Sequence, residues 1–155
     1  MLAAVHEIAQ GARHVVDLFA GCGTFTLPLA EAAEVHAVEG SAEMLGALDK
    51  AWRDARGLRR VSHEARDLFR NPLLAEDLAR YDCAVIDPPR AGAEAQARAL
   101  AESCVPRIAA LSCNPVTFAR DAHLLITGGY RLEWVQLIDQ FRFSPHVELA
   151  AQFSR

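Results

Sequence analysis

The chain has 155 residues, of which 52% are apolar and 23% charged, and its net charge is −4. That length suits one domain with a full hydrophobic core. No apolar run approaches the roughly 20 residues of a membrane span, no basic start and apolar block mark a secretory signal, and the acidic balance argues against a free-standing nucleic-acid binder.

The elements in chain order alternate between apolar strand patterns and helix patterns. "HVVDLF" (His14–Phe19) reads as the first strand, and "TFTLPLAEAA" (Thr24–Ala33) as a helix with Pro28 in its first turns. "EVHAVE" (Glu34–Glu39) is the second strand. Ser41 is placed to cap the helix "AEMLGALDKAWRDAR" (Ala42–Arg56). "RRVSHEA" (Arg59–Ala65) is a weaker third strand. "NPLLAEDLAR" (Asn71–Arg80) reads as a short helix capped by Asn71, with Pro72 at its first position. "YDCAVID" (Tyr81–Asp87) is the fourth strand, "GAEAQARALAESC" (Gly92–Cys104) a helix, and "RIAALSC" (Arg107–Cys113) the fifth strand. "PVTFARDAHLLITGG" (Pro115–Gly129) is a helix ended by its glycines. "YRLEWVQLIDQF" and "HVELAAQFS" close the chain as two strands joined by a short "RFSP" link.

Repeated β-α units imply a parallel sheet with helices on both faces. The last two strands have no helix between them and should pair antiparallel. The expectation is one α/β doubly wound domain over residues 1–155, with an antiparallel strand at one side. Ligands in such sheets bind beyond the carboxyl ends of the strands, at the switch point.

The residues at those ends are chemically suggestive. "DLFAGCGTF" follows the first strand, and Gly21 and Gly23 permit a tight turn and close ligand approach. The dinucleotide pattern G-x-G-x-x-G fails because Thr26 holds the third glycine position. Glu39, after the second strand, can accept hydrogen bonds from a ribose diol. Asp67, after the third, can reach an adenine edge. Together they outline an adenosine crevice, and the missing glycine favours a methionine-sulfonium cofactor over one with a pyrophosphate. "DPPRAG" (Asp87–Gly92) makes a rigid turn that fixes Asp87. Arg90 stands where amino-methylating enzymes carry an aromatic residue.

The chain has four cysteines, Cys22, Cys83, Cys104 and Cys113, with no C-x-x-C pair and no zinc pattern. No metal is expected, and reduced thiols point to the cytoplasm. Cys22, Cys83 and Cys104 read as packing thiols. Cys113 ends the fifth strand, and Pro115 delays the next helix. The thiol therefore meets helix-terminal N–H groups, which favour a thiolate nucleophile; packing remains the other reading. His146 and Glu148 open the last strand, two residues apart, and should face the same crevice. "WRDARGLRR" (Trp52–Arg60) is a basic patch, read as a solvated helix face and turn.

"DLFAGCGTFTLPLA", "VEGS", "DPPRAG", "SCNPVTFARD" and "FSPHVE", in this order over about residues 14 to 150, resemble the catalytic domain of the RNA uridine C5-methyltransferases of the TrmA/RumA type. The resemblance implies a Rossmann-like class I fold, a seven-stranded sheet with an antiparallel last strand. It implies S-adenosyl-L-methionine as cofactor and a uridine of tRNA or rRNA as substrate. By the same resemblance Cys113 is the nucleophile that adds to uracil C6 and Glu148 the base that takes the C5 proton. Phe19, Gly21, Gly23, Thr24, Glu39, Asp67 and Asp87 fall at cofactor positions, and Arg90 and His146 face the substrate. The target base has to leave its stack to reach the thiol. Thr24 stands where the family often has asparagine. The family's preceding RNA-binding region, its occasional iron–sulfur cysteines and an upstream glutamine contact have no counterpart in residues 1–155, so the expectation is either a fragment of a longer protein or an unusual short member that needs help to bind RNA. The alternatives are a cofactor-binding unit inactive without that region, and a methyltransferase of another substrate class.

Overall fold

The computed structural model describes residues 1–139, 143 and 146–155. Its elements run α1 (Leu2–Ala9), β1 (His14–Leu18), α2 (Thr26–Leu29), β2 (Glu34–Glu39), α3 (Ala42–Asp54), β3 (Val61–Ala65), α4 (Ala75–Leu78), β4 (Cys83–Ile86), α5 (Glu94–Glu102), β5 (Arg107–Ser112), α6 (Pro115–Thr127), β6 (Arg131–Ile138) and β7 (Glu148–Ser154). The strands form one sheet in the order β3-β2-β1-β4-β5-β7-β6. The first five pair parallel, and β7 lies antiparallel between β5 and β6. The expected doubly wound sheet is therefore present, with the antiparallel strand one place in from the edge and β6 outermost.

Strand side chains alternate between the two faces. Val15, Val35, Val85 and Ala109 join one core beneath α1 and α3, whereas Val16, Val38, Ile86 and Ile108 join the other beneath α5 and α6. All of β4 is buried, as expected for a central strand covered on both sides. The chain turns from the β3 side of β1 to β4 on its other side, so the switch point lies between β1 and β4. Among the described residues, no helix is long and apolar enough to cross a membrane.

Before the first expected strand, Leu2–Ala9 form α1, burying Ala4, Val5, Ile8 and Ala9. Arg107 Nη1 closes its end by donating to the carbonyls of Ile8 (2.7 Å) and Gln10 (2.8 Å). Asn71 and Pro72 do not start α4, which begins at Ala75 with Leu74 as its N-cap. Gln96 holds the backbone of Leu73 from both sides, Oε1 accepting its N–H at 2.9 Å and Nε2 donating to its carbonyl at 3.0 Å. That grip diverts residue 73 from helical bonding. The helix expected over Thr24–Ala33 shrinks to Thr26–Leu29, followed by turns; Pro28 has no N–H to give the Thr24 carbonyl at the start, and after Ala30 the bonds tighten to Glu31 N–H on the Pro28 carbonyl and Ala32 N–H on the Leu29 carbonyl. The capping of α3 by Ser41 agrees with expectation, its side chain accepting from the Met44 N–H at 3.3 Å. Of the "RFSP" link, only Phe143 is among the described residues.

Candidate active site

The carboxyl edge of the sheet opens into a cavity of about 930 Å³, within the range of small-molecule sites. Its floor is the loop after β1. Phe19 leaves the strand with φ +63°, a left-handed conformation costly for a non-glycine residue. Its ring meets Phe69 at 5.3 Å between centroids. Gly21, at φ +56°, donates its N–H to Glu39 Oε2 at 3.0 Å. Gly23 has φ +97°, and a side chain there would press on Leu48 at 3.1 Å. At the third glycine position, Thr26 is fully buried and donates its hydroxyl to Asp17 Oδ2 at 2.6 Å.

The other cofactor candidates gather around this floor. Glu39 accepts from two backbone N–H groups, Gly21 at Oε2 and Ser41 at Oε1 (2.9 Å), so its carboxylate is fixed at the cavity wall. Asp67 turns back to accept the N–H of Phe69 at 3.0 Å. Phe19, Thr24, Glu39, Asp67 and Asp87 all line the cavity. The wall also includes residues sequence reading did not single out: Met44, Leu68, Phe69 and, from α1, Met1 and Leu2. The i, i+1, i+4, i+5 apolar spacing of Ala4, Val5, Ile8 and Ala9 was the signal for that helix.

A smaller cavity of about 210 Å³ adjoins it, lined by Arg90, Cys113, His146 and Glu148. Cys113 and Glu148 line both cavities and so stand at their junction. The sheet register explains why. Ser112 of β5 pairs with Leu149 of β7, so Cys113, the next residue after one, and Glu148, the residue before the other, emerge together. Asn114 caps α6, its Oδ1 accepting the Val116 N–H at 3.1 Å, with Pro115 at the first helical position as expected. Arg90 Nη1 donates to His146 Nδ1 at 3.2 Å.

Burial sets the electrostatics. The Asp17 carboxyl is pushed up from 3.8 to about 7 by burial, with the Thr26 hydrogen bond opposing and the charges of Asp87 and Glu39 adding. Asp17 Oδ1 is buried without a hydrogen-bond partner. Asp87 rises to about 6, first through burial and then through the Glu148 charge. Of the other thiols, Cys83 is buried but Cys22 and Cys104 are exposed, so packing does not account for those two. The Trp52–Arg60 arginines are exposed, in keeping with a solvated patch.

Known proteins share this sequence and fold. A family model described as tRNA (Uracil-5-)-methyltransferase matches residues 1–155. An uncharacterized RNA methyltransferase of Mesorhizobium japonicum is 58% identical over 140 residues, covering 90% of this chain and 34% of its own length. The 23S rRNA (uracil(1939)-C(5))-methyltransferase RlmD of Chromohalobacter salexigens is 42% identical, covering 90% and 29%. The crystal structure of the Pyrococcus abyssi tRNA (uracil-54, C5)-methyltransferase, in complex with S-adenosyl-L-homocysteine, superposes with a TM-score of 0.85 at 27% identity. It covers 98% of this chain and 36% of its own. This chain spans about a third of the length of these relatives. Its fold is the class I, S-adenosylmethionine-dependent methyltransferase fold. With every residue matched, the chain belongs to the tRNA (uracil-5-)-methyltransferase family.

Proposed function

We propose that this chain methylates C5 of a uridine in RNA, with S-adenosyl-L-methionine as donor, through a covalent bond from Cys113 to uracil C6. The observation that carries the proposal is that Cys113 and Glu148 stand together where the large and small cavities meet. The large cavity suits the cofactor. Glu39 offers a fixed carboxylate to a ribose diol, Phe19, Met44 and Phe69 supply apolar walls for an adenine, and Glu39, Asp67, Asp87 and Glu148 line the same cavity as an acidic setting for a cationic ligand. When bound, the cofactor supplies an electrophilic methyl group on its sulfonium.

Uracil C5 is a weak nucleophile. Attack of the Cys113 thiolate on C6 forms a C–S bond and moves the C5=C6 electron pair towards O4, giving an enolate nucleophilic at C5. With the cofactor held in the large cavity, C5 would take its methyl group and the thioether would be the leaving group. Glu148 takes the C5 proton, the C5=C6 bond re-forms, and the thiolate leaves. Arg90 and His146 line the small cavity and offer donors to the base or its phosphate.

The chain's net charge of −4 opposes the electrostatic attraction that dominates RNA affinity. We therefore assign residues 1–155 the chemistry and assign RNA capture to further parts of a longer protein. The same charge favours a second reading, a cofactor-binding unit without turnover by itself.

The test uses RNA bearing 5-fluorouridine, whose C5 fluorine cannot leave as a proton. The full natural protein with cofactor should form an adduct that survives denaturation, and Cys113→Ala should form none. No wild-type adduct, or an adduct in Cys113→Ala, overturns the assignment of the thiol. Glu148→Gln should accumulate adduct on ordinary uridine RNA; prompt release would remove it as the base.

A further inference from the structure

The turn after β4 and the turn after β5 carry different parts of the site, and strand pairing stops short of both. Ladder pairing between β4 and β5 ends at Ile86 and Ala110, before Asp87 and Cys113. Pro88 and Pro89 have no N–H to extend it. Side chains of α6 and its cap make the connection instead. Asn114 Nδ2 and Thr117 Oγ1 both donate to the carbonyl of Arg90, at 3.0 and 3.2 Å. Arg120 Nη2 donates to the carbonyl of Ala91 at 3.1 Å, and Asp121 Oδ2 accepts the N–H of Ala93 at 2.6 Å. Asn114, Thr117 and Asp121 are spaced i, i+3, i+7, one helical stripe.

Gly92 is the other half of the interlock. It has φ +76°, and a Cβ there would lie 2.5 Å from Arg120 Nη2, 2.7 Å from Asp121 Oδ2 and 2.9 Å from Thr117 Cβ. Only glycine lets the turn come this close. The glycine of "DPPRAG" and the polar residues of "NPVTFARD" are thus two sides of one contact. It pins the Arg90 carbonyl while leaving the guanidinium to reach His146.

We infer that Asn114, Thr117, Arg120 and Asp121 are positioning residues that lock the Arg90–Ala93 turn to α6, fixing Asp87 and Arg90 against Cys113. None of them lines the cavities that hold the thiol, so they act through the turn they hold. The inference rests on Cys113 being the nucleophile. Covalent attack needs atoms held within a fraction of an ångström, and misplacement of about 1 Å can cost roughly a hundredfold in rate.

Thr117→Val in the full natural protein removes the hydroxyl and keeps the shape. Its rate of adduct formation on 5-fluorouridine RNA should fall about tenfold or more. In turnover kcat should fall with KM nearly unchanged, and Thr117→Ser should restore the rate. Gly92→Ala, from the other side, should give the same defect, and the double variant should fall little further because both break one contact. A folded Thr117→Val with wild-type adduct rate overturns the inference; so does a fall that Thr117→Ser does not rescue. Absence of adduct in the wild type instead overturns the assignment of Cys113. The lock is then read by iodoacetamide labelling of Cys113, resolved by peptide mass spectrometry. A changed labelling rate in Thr117→Val supports the lock, and an unchanged rate overturns it.

Discussion

The hydroxyl of Thr26 donates to Asp17 Oδ2 at 2.6 Å, with both side chains fully buried. The pair ties the end of β1 to the helix after the glycine loop. It occupies the place where dinucleotide-binding loops carry a third glycine for close packing of helix on strand. Here a hydrogen bond makes the junction.

This pair gives stability a pH dependence. Burial raises Asp17 from 3.8 to about 7, so between those values the folded state holds a proton that the unfolded state has lost. Stability therefore falls as pH rises from about 4 to 7 and is level above that range. Asp17→Asn should remove this part of the decline. Thr26→Val should cost about 1–3 kcal/mol, and more at pH 8 than at pH 5, because the stranded carboxyl is charged at the higher pH. Urea midpoints at the two pH values check both.

Asp87 and Glu148 form a second coupled pair. Burial is the main cause of the high Asp87 value of about 6, and the Glu148 charge adds to it. Glu148→Gln removes the charge and leaves the burial. The Asp87 pKa should drop but stay above 3.8, as followed by carboxyl-carbon NMR titration. An unchanged value would show that the two carboxylates do not sense each other.

Glu39 has a dual task, bracing the glycine loop through Gly21 and presenting its carboxylate to the cavity. Glu39→Gln turns one acceptor into a donor facing a backbone N–H. Binding of S-adenosyl-L-homocysteine should weaken by about 2 kcal/mol, roughly thirtyfold, in calorimetry. Retention of wild-type affinity would remove Glu39 from the cofactor site.

Arg107 links α1 to the sheet through the carbonyls of Ile8 and Gln10. Arg107→Ala should cost about 1–3 kcal/mol and speed hydrogen exchange in α1 before the rest of the chain. Because Met1 and Leu2 line the large cavity, ligand affinity should fall with it. Exchange in α1 at the wild-type rate would show that apolar packing alone holds the helix.

Apart from the polar β3, the parallel strands were legible because each is a short apolar run bounded by turn residues, and the candidate site could be sought at their ends. Connectivity placed Cys113 and Glu148 at the same sheet edge, because β7 runs antiparallel to β6, and the pairing of β7 with β5 in the structure brings them together. What escaped reading depended on contacts distant in sequence. The grip of Gln96 on Leu73 spans 23 residues and moved the start of α4. The Arg107 clamp on α1 spans nearly a hundred. The closeness of the Arg120 and Asp121 side chains to Gly92 spans nearly thirty residues and leaves no mark in the local sequence.

The insertion of β7 between β5 and β6 also orders events during synthesis. Cys113 leaves the ribosome well before Glu148, and until β7 arrives β5 has no neighbour on that side. Under the chemistry proposed above, a nascent chain halted before β7 would carry the Cys113 thiol without the Glu148 carboxylate, and its large cavity would lack the Glu148 wall. On that proposal the site is completed only by the last strand, so a prematurely terminated chain would have half of it.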